Sequence, residues 1–204
     1  QARYWNVTAY DGIDRVSGIS AADGNDVSIT YGSARAGFCG VDSPRAVETL
    51  NGLGQRQLEV HNAIGETVAV YDNNCGMVSY RYDAIGNLVE VVGADGSRTT
   101  MAYDPAGRKI SMGDPDKGNW RYAWNGLGEI LRQLDAKNQA MDYEYDVMGR
   151  VTRRLELSGV DSIDDSTYEI EQSEETLWQN STDSGARGKG QPLRISYREG
   201  VSGE

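Results

Sequence analysis

The sequence is poor in several of the things a catalytic or metal-binding domain uses. It has one His, His61, and two Cys, Cys39 and Cys75. With no Cys-x-x-Cys pair, those three scattered residues cannot form a Cys/His zinc site. A Ser-His-Asp triad would have to use His61, and no Gly-x-Ser-x-Gly elbow is present. Proline is also scarce, at four residues, which excludes a Pro-Gly linker or a collagen-like chain. No apolar run approaches the ~18 residues of a membrane helix. Basic residues are outnumbered, 20 Lys and Arg against 31 Asp and Glu, for a net charge of −11. A nucleic-acid binder needs a basic footprint, and none is visible. Nine of the acids fall between Leu155 and Ala186, a stretch with no Lys or Arg, so the rest of the chain is close to neutral. There is one Phe against 12 Tyr and four Trp. Rings with an apolar body and a polar tip suit half-exposed sheet faces better than deep cores.

Glycine is abundant, at 25 of 204 residues, and much of it is periodic. A ring, then Asp or Asn, then two residues and Gly begins at His61, Tyr82, Tyr103, Trp124 and Tyr145, a spacing of 21 each time. The motif residues are His61, Asn62 and Gly65; Tyr82, Asp83 and Gly86; Tyr103, Asp104, Gly107 and Arg108; Trp124, Asn125 and Gly128; and Tyr145, Asp146, Gly149 and Arg150. An earlier copy at Tyr10-Asp11 has Asp14 in the glycine position. Registered repeats of this length signal a repeat architecture.

Each unit reads as one β-hairpin. After the glycine comes an alternating stretch such as Leu88-Val89-Glu90-Val91, then a second turn such as Ala94-Asp95-Gly96. A second alternating stretch such as Trp120-Arg121-Tyr122-Ala123-Trp124 leads into a ring. Period-two alternation is the strand signature, and Asx and Gly supply turns. An isolated hairpin is marginal in water, so the units must add edge to edge, with their rings in a ladder. The predicted fold is all-β, consecutive antiparallel hairpins in a curved sheet. Residues 1–157 form the repeat sheet (clearest over 51–156), 158–175 an acidic loop or linker, and 176–204 a degenerate further repeat. The only helix expected is one short turn within Ser43–Leu50.

Tyr-Asp-x-x-Gly-Arg at this period, as in Tyr103–Arg108 and Tyr145–Arg150, resembles the YD repeat of the RHS family. That family includes bacterial polymorphic toxins, the B and C components of insecticidal toxin complexes, and the animal teneurins. The resemblance implies a β-ribbon spiralling into a hollow shell that, in toxin members, encloses a C-terminal effector. It further implies a secreted or cell-surface bacterial protein whose partners are the rest of its own polypeptide and that effector. The aspartate-rich self-cleavage motif of toxin members has no match here. The chain begins at Gln1, without Met, and reads as a piece of something longer.

Other chemistries weigh less. Asp114-Pro115-Asp116-Lys117-Gly118 starts like a calcium loop, but Asn125 stands where the bidentate Glu belongs. Asp at every turn is explained by turn chemistry, so no catalytic residue, cofactor or metal is expected. One rival function stands: Tyr80, Trp120, Tyr122, Trp124 and Tyr143 are candidate carbohydrate contacts, if they are flat exposed rings rather than the apolar face of the sheet. Two readings of Cys39 and Cys75 also stay open, a disulfide in an oxidising compartment or two half-buried apolar residues. Open strand edges near Trp5–Tyr10 and Leu193–Tyr197 lead to an expectation of self-association.

Overall fold

The computed structural model describes residues 5–32, 38–164, 169–178 and 192–199, the last two ranges by their backbone alone. The chain divides into two units, Gln1–Arg98 and Thr99–Glu204.

In the first unit the alternating stretches form β1 (Val7–Tyr10), β2 (Val16–Ser20), β3 (Val27–Tyr31), β4 (Ala46–Asn51), β5 (Arg56–His61), β6 (Thr67–Tyr71), β7 (Met77–Tyr82) and β8 (Leu88–Val92). Each pairs antiparallel with the next in sequence. The second unit repeats this plan. It holds β9 (Arg98–Tyr103), β10 (Lys109–Asp114), β11 (Gly118–Trp124), β12 (Ile130–Leu134), β13 (Ala140–Tyr145), β14 (Val151–Ser158), β15 (Glu169–Trp178) and β16 (Pro192–Glu199). Here too every strand pairs with its sequence neighbour. The all-β hairpin fold is what the 21-residue period demands.

A single sheet has no second layer to bury its faces, and most side chains of these strands are half-exposed. Full burial occurs where a connection folds back over the strands. In the first unit Phe38 and Val41, from the β3–β4 connection, pack on the buried Ala46 and Leu58 together with Val60 and Tyr71. Glu48 lies beside this cluster at 6% exposure, 3.6 Å from the Arg56 guanidinium, which lies over the Phe38 ring. In the second unit Val160 and Ile163, after β14, pack on Leu134, Ala140, Leu155 and Leu157. The Val160 N–H donates to the Asn138 carbonyl, and Arg132 forks onto Asp142 at 2.6 and 2.7 Å.

Three sequence expectations change. The helical turn within Ser43–Leu50 is absent, because Ala46–Asn51 is β4, held by β3 on one side and β5 on the other. Its Ala46/Glu48 and Val47/Thr49 alternation serves a strand with two partners better than an isolated turn. The one short helical turn among the described residues is at Phe38–Gly40. The acidic loop or linker expected over residues 158–175 is in part a strand: Glu169–Trp178 is β15, paired along β14, while residues 165–168 lie outside the described residues. Finally, Cys39 and Cys75 are bonded, which settles the open reading in favour of the disulfide. The bridge fastens the β3–β4 connection to the turn between β6 and β7.

Candidate functional site

The repeated element of this chain is a turn, a bulge and a ring. The turn comes first. Its Asp or Asn, at position i, donates its backbone N–H to the carbonyl of i+4 and accepts the N–H of i+3. The side-chain Oδ1 accepts the N–H groups of i+2 and i+4, as in Asp83 with Ile85 and Asn87 or Asp146 with Met148 and Arg150. This is the Asx turn in full: one carboxylate or amide oxygen replaces the ladder while the chain reverses.

The second side-chain atom of that residue follows a rule the motif alone does not display. In the 21-residue series and its early copy at Asp11, where position i is Asp, i+4 is a donor. Arg15, Asn87, Arg108 and Arg150 donate to the Oδ2 of Asp11, Asp83, Asp104 and Asp146 at 2.6–2.8 Å. Where it is Asn, i+4 is an acceptor. Asn51, Asn62 and Asn125 donate Nδ2 to Gln55, Glu66 and Glu129 at 2.8, 2.6 and 2.5 Å. Sequence reading noticed Arg108 and Arg150 but missed Gln55, Glu66, Asn87 and Glu129. The signal was the complementarity of i with i+4.

These bonds hold the aspartates ionised. The Asn87 amide first, and then turn N–H groups, keep the Asp83 carboxyl below its ordinary value. For Asp104 the leading cause is the Arg108 backbone N–H, for Asp146 the Arg150 side chain, and for Asp11 the Ile13 N–H. Glu90, between Arg81 and Arg98, is pushed up by burial, yet hydrogen bonds from Arg98 and Arg81 leave it lowered.

The residue in the glycine position donates its N–H to the turn's Asp or Asn and takes a positive φ: 89° at Gly86, 77° at Gly107, 86° at Gly128 and 75° at Gly149. Asp14, Cys75 and Asn138 fill the same position with φ of 61°, 63° and 63°. Cys75 therefore supplies both the left-handed turn and half of the disulfide.

The bulge follows the turn. In each Asp/Asn hairpin of the 21-residue series the ring residue pairs two positions past the glycine: His61 with Thr67, Tyr82 with Leu88, Tyr103 with Lys109, Trp124 with Ile130 and Tyr145 with Val151. Val68, Val89, Ile110, Leu131 and Thr152 are left as the extra residues. Tyr10 with Val16 does the same. A bulge interrupts the ladder, and between hairpins the pairing stops just short of it. β6 pairs with β7 only from Ala69, β10 with β11 from Ser111, and β12 with β13 from Arg132.

The ring closes that gap. Tyr82 donates its hydroxyl to the Thr67 carbonyl at 3.0 Å, Trp124 its indole N–H to Lys109 at 2.8 Å, and Tyr145 its hydroxyl to Ile130 at 2.9 Å. Each carbonyl lies 15 residues earlier, in the preceding hairpin. Burial raises the Tyr82 and Tyr145 hydroxyl pKa values, assisted by the carboxylates of Glu66 and Glu129, so both stay protonated donors. The expected ladder of rings is thus a set of ring-to-backbone links. His61 differs, with Nδ1 3.3 Å from the Thr67 hydroxyl in its own hairpin. Tyr103 places its hydroxyl 3.7 Å from the Met101 sulfur, and Tyr10 is 61% exposed.

Within the second unit the strand register puts Trp120, Tyr122 and Tyr143 on one face of the sheet, with Gln133 between them. Trp124 uses its N–H on Lys109, Trp120 donates to the Lys117 carbonyl at 3.2 Å, and the Lys109 ammonium lies over the Tyr122 ring. Tyr80, Trp120, Tyr122, Trp124 and Tyr143 are all half-buried. Trp120 alone of them lines a shallow depression in the second unit, with Gln133, Met141 and Glu156. Asp114 accepts the Asp116 and Lys117 N–H groups of its own turn, as turn chemistry requires.

Comparison with known proteins agrees with this geometry. The RHS Repeat family profile matches residues 82–118. No curated protein matches the sequence. Among solved structures, the TcdB2-TccC3-TEV crystal structure superposes with a TM-score of 0.69 at 15% identity, over 93% of this chain and 10% of that one. TcdB2-TccC3 itself gives 0.67 at 15% identity, over 87% and 9%. The Photorhabdus luminescens Tc holotoxin pore gives 0.62 at 14% identity, over 85% and 9%. The chain therefore spans about a tenth of the length of the structures it matches.

Proposed function

We propose that the chain, whose residues 82–118 match the RHS Repeat profile, is a non-catalytic wall segment of an RHS shell. The shell encloses or displays a C-terminal effector in a secreted, toxin-like bacterial protein. The observation that carries this reading is the ring-to-carbonyl link. Three rings spend their polar tips in joining one hairpin to the preceding one, as a wall requires and a reactive site does not. The disulfide adds to it, because such bridges persist in oxidising, extracytoplasmic compartments. No helix among the described residues is long and apolar enough to cross a membrane.

Two measurements test the reading. Electron microscopy of the whole polypeptide that carries this chain is expected to show a hollow particle with density inside. A solid or open extended particle would overturn it. A glycan array probed with the chain is expected to be blank. Saturable binding lost in Trp120→Ala would favour the adhesion function instead. Open edges at β1 and β16 belong to the same reading: an excised wall segment pairs through them unless its ends fold back.

A further inference from the structure

Each unit fastens a back-folded connection to the same kind of point, and the two fastenings differ in chemistry. The point is the glycine position of a turn between repeats, Cys75 in the first unit and Asn138 in the second, both with φ of 63°. In the second unit hydrogen bonds make the closure. The Val160 N–H donates to the Asn138 carbonyl at 3.1 Å, and the Asn138 amide donates to the Asp161 carboxylate at 3.4 Å. In the first unit the closure is the Cys39–Cys75 bond. A covalent link is therefore not what this kind of closure requires. The apolar support also differs. Val160 is fully buried and closes with Ile163 on Leu134, Ala140, Leu155 and Leu157. Phe38 and Val41 are half-buried, and the buried residues they close on are Ala46 and Leu58. Around Cys39 the backbone bonds stay local, from the Val41 N–H to the Phe38 carbonyl and from the Ala46 N–H to the Ser43 carbonyl. The disulfide thus holds down a connection whose other ties are few and weak.

We infer that Cys39–Cys75 is a thiol-sensitive latch, which a small external thiol opens to free the β3–β4 connection while the strands persist. Cys75 is exposed at its turn and Cys39 is half-buried, and exposed disulfides are the labile ones. An attacking thiolate forms a bond to the Cys75 sulfur, the Cys39–Cys75 bond breaks, and Cys39 leaves as a thiolate that takes up a proton. A second thiol then displaces Cys75 from the mixed disulfide. Two external thiols are oxidised to one disulfide, and both cysteines are reduced. Cys39 also holds left-handed backbone, at φ of 53°, a conformation that is unfavourable for a residue with a side chain. Reduction lets it leave that conformation. Once freed, the connection uncovers Ala46, Leu58, Val60 and Tyr71. The ladders of β4 with β3 and β5, and of β5 with β6, do not pass through the connection, so the opening is local. In the wall proposed above, such a segment is closed in an oxidising medium and open in a thiol-rich one. That use rests on the wall reading; the latch itself does not.

The whole chain in native buffer, with and without millimolar reduced glutathione, tests it by alkylation and limited chymotrypsin digestion, both read by mass spectrometry. With glutathione, both cysteines should become alkylated while the circular dichroism of the sheet is kept. Cleavage after Phe38 should then speed up roughly tenfold or more, and cleavage after Leu155 or Leu157 in the second unit should not change. Cys39→Ser with Cys75→Ser should be cut after Phe38 at the faster rate whether or not glutathione is present. A bond that yields to glutathione only in denaturant overturns the proposal. So does reduction that leaves cleavage after Phe38 at the parent's rate, or that unfolds the sheet as a whole, since either would make the bond a structural staple. None of these outcomes depends on a particle being hollow, so the latch and the wall reading fail separately.

Discussion

Tyr145, on β13, donates its hydroxyl to the carbonyl of Ile130 on the neighbouring strand β12, 2.9 Å away, at the point where the β12–β13 ladder has ended. Trp124 does the same to Lys109 with an indole N–H. Two different donors on differently shaped rings meet the equivalent carbonyl, so the repeat selects a ring with a polar tip. That requirement accounts for Tyr or Trp, and not Phe, at positions 82, 124 and 145. Tyr145→Phe keeps the ring and removes the donor. It should cost about 0.5–1.5 kcal/mol, read from the urea midpoint at unchanged slope. Tyr80→Phe, at a strand position outside the ring slot, should cost less.

The pairing of i with i+4 predicts a rescue. Asn125→Asp puts a second carboxylate against Glu129 in place of the 2.5 Å amide contact, and should destabilise by about 1 kcal/mol. Adding Glu129→Arg converts the pair to the Asp–Arg form found at Asp104–Arg108 and should recover most of that loss. A double-mutant cycle measures the coupling. Simple additivity would mean that each turn is held by its backbone bonds alone.

The disulfide closes a separation of 36 residues. On chain entropy, losing it should cost about 2–4 kcal/mol. Cys39→Ser with Cys75→Ser, compared with the parent in denaturant with and without a thiol reductant, measures it. The parent under reductant should fall to the double variant's midpoint, and the variant should not respond.

The period, the strands and the positive-φ turns were legible because each follows from residue type at fixed spacing: Gly86, Gly107, Gly128 and Gly149 could hardly serve otherwise. The bulges and ring links were not legible. Nothing local distinguishes Val68 or Leu131 from an ordinary strand residue, and the carbonyl that Tyr145 meets is chosen by the register between hairpins. β4 was misread because Pro44-Arg45-Ala46-Val47-Glu48-Thr49 has no motif ring. Its strand state comes from β3 and β5, partners that local propensity does not see. The disulfide depends on the β3–β4 connection lying across the sheet to the 72–76 turn, a path that the two thiols alone do not specify.

The turn aspartates set the response to acid. Asp11, Asp83, Asp104 and Asp146 all have native carboxyl values below the ordinary one. A lowered native value contributes stability above the unfolded value near 3.9, and that stability is lost as pH falls through the native values. The melting temperature should therefore be flat from neutrality to about pH 5 and fall below about pH 4. A main loss well above pH 5 would show that the turn carboxylates do not set the acid response.

The glycine position separates backbone strain from crowding. Gly128 has φ of 86°, and a Cβ built there meets nothing within 4 Å, so any cost of substitution is conformational. Asn138 and Cys75 already show that a side chain without β-branching can hold this φ. Asn is the residue best able to do so, Ala costs about 1–2 kcal/mol, and a β-branched side chain costs more. Gly128→Asn should therefore be mildest, Gly128→Ala intermediate and Gly128→Val worst, with β-structure kept in all three. Gly118 is the contrasting site. Its φ is 71° and a Cβ there would collide with the side chain of Ala136, so Gly118→Asn should lose the tolerance seen at Gly128. Equal melting temperatures for Gly128→Asn and Gly128→Val would show that the position does not need the left-handed conformation that defines the repeat.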